Sequence, residues 1–203
     1  MSLELTEERV IPKKMHPNNG LLIEHVSRYK FASRYAQGRV LDFACGVGYG
    51  AEILLAIGEG IKEIIGVDID ARSIEYARTN YDYPQTSFFV GKANDEQVIN
   101  NLGKFDTIIS METIEHIKDD YQFVANLKQL LKDDGTLVIS TPFGQGREEE
   151  CSNPYHYRQY TEAEFRNLLS SFSEVKLFCQ RDDIIEKPKA DKKYYLMVAV
   201  CKK

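Results

Sequence analysis

The stretch "VLDFACGVGYG", Val40–Gly50, joins a short apolar run to a loop that contains three glycines. Such a run before a glycine loop predicts a buried β-strand followed by a tight turn. The next residues, "YGAEILLAIG", predict a helix that ends at Gly58 or Gly60. A glycine loop after a strand usually holds phosphate. Asp42, four residues before Gly46, would repel a phosphate, so the stretch predicts an α/β fold with a different kind of ligand.

Strand and helix patterns alternate through five units between residues 38 and 142, after a first helix over residues 20–36. This alternation predicts a mostly parallel sheet with helices on both faces and ligands at the carboxyl ends of the strands. Thr161 and Glu164 have capping-box spacing and predict one more helix. The last two strand patterns, "EVKLFCQ" and "KYYLMVAVCK", have no helix between them, which favours a hairpin and an antiparallel edge strand. The charged segment between them, "RDDIIEKPKADKK", is interpreted as a solvated turn.

Composition excludes several classes of function. The net charge of −5 argues against a general binder of nucleic acid or of anionic membranes, since both need basic surfaces. The apolar runs are too short for a membrane span, and the acidic start "MSLELTEERV" does not resemble a signal peptide. We therefore expect a cytoplasmic protein. The four scattered cysteines indicate reduced thiols, and Cys151 and His156 alone are too few to predict a metal site.

The acidic residues around the glycine loop identify the expected cofactor. Gly46, Gly48 and Ala51 fit the loose dinucleotide pattern G-x-G-x-x-G/A, and Asp68 lies 22 residues after Gly46, where an acid binds ribose hydroxyls. Asp68 would serve NAD or an adenosyl cofactor equally well. Asp42 discriminates, because it would repel a pyrophosphate and attract an ammonium and a sulfonium by a few kcal/mol at an effective dielectric of ~20. The sequence therefore favours S-adenosylmethionine.

These residues resemble a known family. "VLDFACGVGYG" with "IIGVDID" resembles the class I (Rossmann-like) S-adenosylmethionine-dependent methyltransferases over residues 38–142. The flanking segments "EHVSRYKFASRYAQG" and "NPYHYRQYTEAEF" resemble a bacterial subgroup that is uncharacterised or acts on small molecules. The resemblance implies a doubly wound, seven-stranded, mostly parallel sheet of order 3-2-1-4-5-7-6, with strand 7 antiparallel and helices on both faces. We expect one methyltransferase domain over residues 1–203: an N-terminal helical cap (1–37), a cofactor-binding core (38–142), and a substrate-side loop, helix and C-terminal hairpin (143–203).

The resemblance also implies a set of cofactor-binding residues. The glycine-loop backbone approaches the methionine part, Asp68 binds the ribose, and the turn after strand 3 contacts the adenine, although Lys92 stands where the family has an acid. Arg28 either binds the cofactor's carboxylate bidentately or is a surface charge, and Tyr29 either closes the methionine end or is a core residue. The implied set is Arg28, Tyr29, Asp42, Ala44, Cys45, Gly46, Gly48, Asp68, Ile69, Ala93, Asn94 and Met111.

Two histidines are the candidates for catalysis. His116 follows strand 4 in "SMETIEHI", and His156 lies in the long loop after strand 5. Either could take a proton from an acceptor hydroxyl during in-line methyl transfer, and either could instead have a structural role. The tyrosines around His156 (Tyr155, Tyr157 and Tyr160) could wall an acceptor pocket. Glu112 and Glu115 could shape that pocket or be exposed.

The expected acceptor is a small molecule. Enzymes of this fold that methylate amide or exocyclic nitrogens usually carry D/N-P-P-Y after strand 4, where this chain has "SMETIE". Together with the acidic net charge, this disfavours enzymes that methylate adenine in nucleic acid or glutamine. An oxygen or a simple amine nitrogen is the favoured acceptor atom, and a carbon acceptor stays open. Two alternatives stay open: an NAD-dependent oxidoreductase, although a Ser/Tyr-x-x-x-Lys set is lacking, and a non-catalytic cofactor-binding protein of the same fold. The sequence does not indicate an oligomeric state.

Overall fold

The computed structural model describes residues 9–151 and 153–203, which form one mixed sheet flanked by helices. Its strands run in the order β3-β2-β1-β4-β5-β8-β6-β7. They are β1 (Gly38–Phe43), β2 (Ile61–Asp68), β3 (Thr86–Val90), β4 (Phe105–Ser110), β5 (Leu131–Pro142), β6 (Glu174–Arg181), β7 (Ile184–Glu186) and β8 (Leu196–Lys202).

The strand order expected from the family resemblance is confirmed, with β8 in the place of strand 7. Strands β1 to β5 pair in parallel, and β8 lies antiparallel between β5 and β6. The antiparallel strand of the C-terminal pair is therefore inside the sheet. The sheet also has an eighth strand that we did not expect: the three-residue β7, antiparallel to β6 at the edge. It forms within the segment interpreted as a solvated turn because Ile185 pairs with Gln180 and packs against the core.

Six helices in the described residues cover the sheet. They are α1 (Gly20–Ala32), α2 (Tyr49–Ile57), α3 (Ala71–Asn80), α4 (Glu96–Leu102), α5 (Asp120–Leu130) and α6 (Glu162–Leu168). The first helix ends earlier than residue 36, because residues 33–36 continue as hydrogen-bonded turns. The capping box of Thr161 and Glu164 is present at the start of α6. Within the described part of the chain, no helix is long and apolar enough to cross a bilayer.

Alternate residues of the central strands supply two hydrophobic cores, one on each face of the sheet. Val40 belongs to the core that α1, α2 and α3 cover, whereas its neighbour Leu41 belongs to the core beneath α5 and α6. This division follows from the twofold alternation of side chains along a strand. It also explains why these strands read as nearly continuous apolar runs.

The strand order reverses between β1 and β4. β1 continues to β2 on one side, while β4 continues to β5 on the other. Both strands point the same way, so the glycine loop after β1 and residues 111–116 after β4 leave the sheet at the same edge. Ligands of open α/β sheets bind in the crevice at such a reversal.

Candidate functional site

Two adjoining cavities lie at the carboxyl ends of the strands. The first, called the loop cavity, has a volume of about 290 Å³ and is bordered by the glycine loop, α1 and residues 111–116. The second, called the rim cavity, has a volume of about 660 Å³ and is bordered by Ile69, residues 92–94 and the start of α5. His116 lines both. Together they have the size typical of a small-molecule or cofactor site.

The residues expected to bind cofactor or acceptor divide between these cavities. Those in the loop cavity are Tyr29, Ala44, Cys45, Gly46, Met111, His116 and His156. Those in the rim cavity are Ile69, Ala93, Asn94 and His116. Four others lie behind the walls and outside both linings: Arg28, Asp42, Gly48 and Asp68.

The glycine loop is held open towards the loop cavity by its backbone. The amides of Ala44 and Cys45 both donate to the carbonyl of Val67, at 2.7 and 3.0 Å. Gly46 has φ +54°, and a Cβ there would have no heavy atom within 4 Å. Gly48 has φ +84°, and its Cβ would lie 2.7 Å from the Cβ of Ala77. Gly46 thus leaves space for a ligand, whereas Gly48 is required for packing against α3.

Asp68 connects the end of β2 to the glycine loop. Its Oδ2 accepts a hydrogen bond from the amide of Gly46 at 2.8 Å, and its Oδ1 accepts from the amide of Asp70 at 2.9 Å. Burial raises the pKa of this carboxyl, while these two amides lower it. A carboxylate has about four lone-pair positions, so both oxygens retain capacity for further donors.

Asp42 is fully buried beneath Tyr29. The Tyr29 hydroxyl donates to its two carboxylate oxygens, at 3.1 and 3.0 Å. Burial raises the pKa of Asp42 to about 7, and the charge of Asp68 adds to this rise, while the Tyr29 hydrogen bond opposes it. Gly50 makes the contact possible, because a Cβ there would lie 2.2 Å from the Tyr29 ring. The sequence predicted that Asp42 faces the cavity directly. This prediction is wrong, since Tyr29 lies between Asp42 and the cavity.

Arg28 is not a surface charge. Its side chain is 1% exposed, and its Nη1 donates to Oε1 of Gln180 on β6 at 2.9 Å. Among the described residues, its Nε has no hydrogen-bond partner. Gln180 is fixed in turn by donating to the carbonyls of Glu24 and Asp182. The side chain that holds the guanidinium is a neutral amide, so an anion that reached Arg28 would displace no ion pair of the described residues.

The two candidate histidines are in contact. Their ring centroids are 4.7 Å apart with the planes at 88°. Nδ1 of His116 is 3.0 Å from the carbonyl oxygen of Tyr155, and Nε2 of His156 is 3.0 Å from Nδ2 of Asn153. The fold thus brings together two histidines that are 40 residues apart in the sequence.

Glu115, which the sequence left as either a pocket residue or an exposed acid, is buried. Its side chain is 1% exposed and accepts hydrogen bonds from Oγ1 of Thr141, at 3.1 Å, and from its own backbone amide. Burial raises its pKa well above the ordinary value, and the charge of Glu112 adds to this rise. One oxygen of Glu115 and one ring nitrogen each of His116 and His156 lie within 4.8 Å of one another. The only signal in the sequence was its position in "TIEHI", where it lies next to His116.

The tyrosines near His156 do not wall a pocket as expected. The side chains of Tyr155 and Tyr157 are 63% and 60% exposed. Tyr160 is fully buried and donates to Oδ2 of Asp120 at 2.8 Å. Asp120 also forms an ion pair with Arg147, which ties the loop after β5 to the first turn of α5. The aromatic residues of this loop therefore serve its anchoring more than the lining of a cavity.

The fold and this site define a protein of the methyltransferase type, and sequence comparison identifies the family. Residues 17–178 match the family described as "Methyltransferase domain", so the chain belongs to that family.

Named relatives agree with this assignment. The chain is 30% identical over 174 residues to a "Probable S-adenosylmethionine-dependent methyltransferase" of Mycolicibacterium smegmatis, covering 84% of this chain and 65% of the relative. It is 31% identical over 138 residues to the "Ubiquinone biosynthesis O-methyltransferase" of Actinobacillus pleuropneumoniae, covering 64% of this chain and 55% of the relative. The chain thus spans less than two thirds of the length of these curated relatives.

The fold is also that of solved methyltransferases. The plantazolicin methyltransferase BamL, solved in complex with a triazolic desmethylPZN analog and SAH, superposes with a TM-score of 0.63 at 20% identity, covering 91% of this chain and 84% of that one. At this identity the likeness concerns the fold alone.

Proposed function

We propose that this protein is an S-adenosylmethionine-dependent methyltransferase that acts on a small molecule. The observation that carries the proposal is the open glycine loop above the buried Asp42–Tyr29 pair, in a chain that belongs to a methyltransferase family. A buried acid behind the loop suits a cationic ligand and opposes a pyrophosphate.

The residues present fit the cofactor at each of its parts. The space above Gly46 would receive the methionine part, with the negative charge of Asp42 near its ammonium. Arg28, whose buried Nε has no partner among the described residues, would bind the carboxylate. Asp68 accepts from Gly46 of the loop cavity and precedes Ile69 of the rim cavity, so its oxygens would accept from the ribose hydroxyls. The adenine would then lie in the rim cavity beside Ile69 and residues 93–94.

When bound, the cofactor supplies a methyl group on a positively charged sulfur, which is the electrophile of the reaction. The protein supplies orientation and a route for the acceptor's proton. Met111 lines the loop cavity together with the glycine loop and both histidines, so it would border the methyl group. His116 and His156 would form the acceptor side of this cavity.

The acceptor atom that we propose is oxygen, with amine nitrogen as the second candidate. Support comes from the relatives named as O-methyltransferases and from the lack of D/N-P-P-Y after β4. The loop cavity is small, at about 290 Å³, which favours a small acceptor or the end of a larger one. We also propose that residues 1–37 and 143–203 provide the cap and the acceptor side of one methyltransferase domain.

Thermal unfolding in the presence of candidate cofactors tests the proposal. S-adenosylmethionine and S-adenosylhomocysteine should each raise the melting temperature, since a ligand at 100 times its dissociation constant stabilises by about 2.7 kcal/mol. NAD and NADP should have no effect, and a shift with NAD alone would overturn the proposal. The melting temperature of the Asp42→Asn variant should not rise with either adenosyl compound. The matched control is Asp106→Asn at the opposite end of the sheet, where Asp106 pairs with Lys132, and it should keep the shift.

Transfer of a labelled methyl group tests the acceptor. Pools of phenols, carboxylic acids and primary amines would be incubated with the protein and methyl-labelled S-adenosylmethionine, and the products separated by chromatography. Label in the phenol or acid pools supports an oxygen acceptor. Cofactor binding without transfer to any pool would favour the non-catalytic alternative.

A further inference from the structure

We propose that Glu115, His116 and His156 form a binding site for a divalent transition-metal ion on the acceptor side of the loop cavity. The role of the metal in catalysis rests on the proposed function, whereas its binding does not.

The first observation is the arrangement of donor atoms. Two imidazole nitrogens and one carboxylate oxygen converge within 4.8 Å of one another, so a single ion could contact all three after small side-chain rotations. All three residues line the same cavity, which gives an ion a path from solvent. Two histidines and one carboxylate are a common ligand set for first-row transition metals.

The second observation is the burial of the Glu115 carboxyl group. It is 1% exposed, and within residues 9–151 and 153–203 it accepts from Thr141 and from its own backbone amide and forms no ion pair, while the buried Arg28 acts on it electrostatically. Taking a carboxylate out of water is costly unless a cation is near. Glu112 lines the same cavity and adds a second acid. Arg9, the single Arg or Lys among the described residues of that lining, forms an ion pair with Asp70. Burial disfavours the ionised form of Glu115, and a bound cation would stabilise that form.

The third observation is the support behind the ligands. The carbonyl of Tyr155 accepts from Nδ1 of His116, which leaves Nε2 with the lone pair, and metal-binding histidines usually have such a partner on the second nitrogen. The backbone carbonyl of Glu115 accepts from the amides of Tyr157 and Arg158, at 2.8 and 3.2 Å. These bonds hold the His156 loop against the Glu115 segment. The backbone segments that carry the three ligands are thus joined to one another before any ion binds.

The ligand chemistry restricts the metal and suggests its use. Imidazole nitrogens favour Mn²⁺, Co²⁺ and Zn²⁺ over Mg²⁺ and Ca²⁺, which prefer all-oxygen sites. Three protein ligands leave coordination positions open towards the cavity. A hydroxyl bound at such a position loses its proton more easily. The site would therefore select an oxygen acceptor and prepare it for methyl transfer.

Metal binding to the purified protein tests the proposal directly. The full chain would be stripped with EDTA and titrated with MnCl₂, CoCl₂, ZnCl₂ and MgCl₂ by isothermal titration calorimetry, without cofactor or acceptor. One ion of Mn²⁺, Co²⁺ or Zn²⁺ should bind per chain, more tightly than Mg²⁺, and Co²⁺ should give a visible absorption band. His156→Ala, Glu115→Gln and His116→Ala should each weaken binding by at least the ~10–100-fold that loss of a supporting group costs. The control His16→Ala removes an exposed histidine and should bind like wild type.

The outcomes separate this proposal from the proposed function. S-adenosylhomocysteine binding, measured on every variant, reports both folding and the cofactor site. Loss of metal binding with retained S-adenosylhomocysteine binding supports the site. Failure of all four ions to bind the wild type, or equal binding by His156→Ala and wild type, would overturn the metal site and leave the methyltransferase proposal intact. Metal binding without S-adenosylhomocysteine binding would instead overturn the proposed function.

Discussion

The two walls of the loop cavity are built in different ways. The cofactor wall is a continuous piece of chain, in which β1, the glycine loop and the first turn of α2 follow one another. Backbone amides and glycines fix its shape. The acceptor wall is assembled from residues 111–116 and residues 153–158, which are joined by hydrogen bonds between distant segments. The difference suggests that changes in the cofactor wall should affect cofactor binding first, whereas changes in the acceptor wall should affect turnover first.

The largest effect is expected on the acceptor wall. His116→Ala should slow methyl transfer by about 10²–10⁴-fold, because it removes a group that handles the acceptor's proton or its metal. Cofactor affinity should change little, since His116 contacts the Tyr155 carbonyl and the His156 ring, while the Asp42–Tyr29 pair is held by its own hydrogen bonds. Single-turnover rates and S-adenosylhomocysteine titrations measure the two quantities separately. Equal losses in both would mean that the two walls are not independent.

The next largest effect is expected on the cofactor wall. Asp42→Ala should weaken S-adenosylmethionine binding by about 2–5 kcal/mol, the usual result of truncating one partner of a buried charge pair. The fold should persist, because an alanine removes a buried charge that has no ion pair in the described residues. Calorimetric titration measures the affinity, and circular dichroism checks the fold. Wild-type affinity in this variant would contradict our explanation of the opening stretch of sequence.

A comparison of two glycines sharpens the description of the cofactor wall. Gly50→Ala should lower the free energy of unfolding by about 1–3 kcal/mol, since its Cβ would overlap the Tyr29 ring. It should also weaken cofactor binding, because a displaced Tyr29 no longer donates to Asp42. Gly46→Ala, where the space is open, should cost only the ~1–2 kcal/mol of a left-handed backbone, yet it should block the ligand. Urea unfolding measures the loss of stability in each variant, and S-adenosylhomocysteine titration measures the loss of binding. Equal destabilisation of both variants with wild-type binding would contradict the roles given to the two glycines.

The difference between the walls also explains what the sequence could predict. The strand before the glycine loop and the capping box of Thr161 are local patterns, and both were predicted correctly. The order of the sheet was implied by the family resemblance and is also confirmed. The placement of Tyr29 over Asp42 depends on how α1 crosses the sheet. No spacing rule gives that crossing. The burial of Glu115 and Tyr160 depends on a loop that returns from far along the chain. The short strand β7 was missed because two isoleucines within a charged segment give no periodic signal.

The last expected effect concerns pH and arises from Asp42. Its pKa is about 7 in the folded protein, against 3.8 for an ordinary aspartate. Between about pH 4 and pH 7 the folded state therefore retains a proton that the unfolded state has lost. This difference in protonation lowers the free energy of unfolding of the ligand-free protein as pH rises through that window. Above pH 7 it has no further effect.

A ligand that places an ammonium group near Asp42 should have the opposite dependence. The ammonium favours the ionised carboxylate, so the affinity for S-adenosylhomocysteine should rise with pH by up to about tenfold per unit below pH 7 and level off above it. Titrations between pH 5.5 and 7.5 keep the ligand's own amine protonated. Asp42→Asn should flatten this slope, and any slope that it retains would report Asp68, whose pKa burial also raises. If the affinity of Asp42→Asn depends on pH as steeply as that of wild type, the carboxylate beneath Tyr29 does not interact with the ligand.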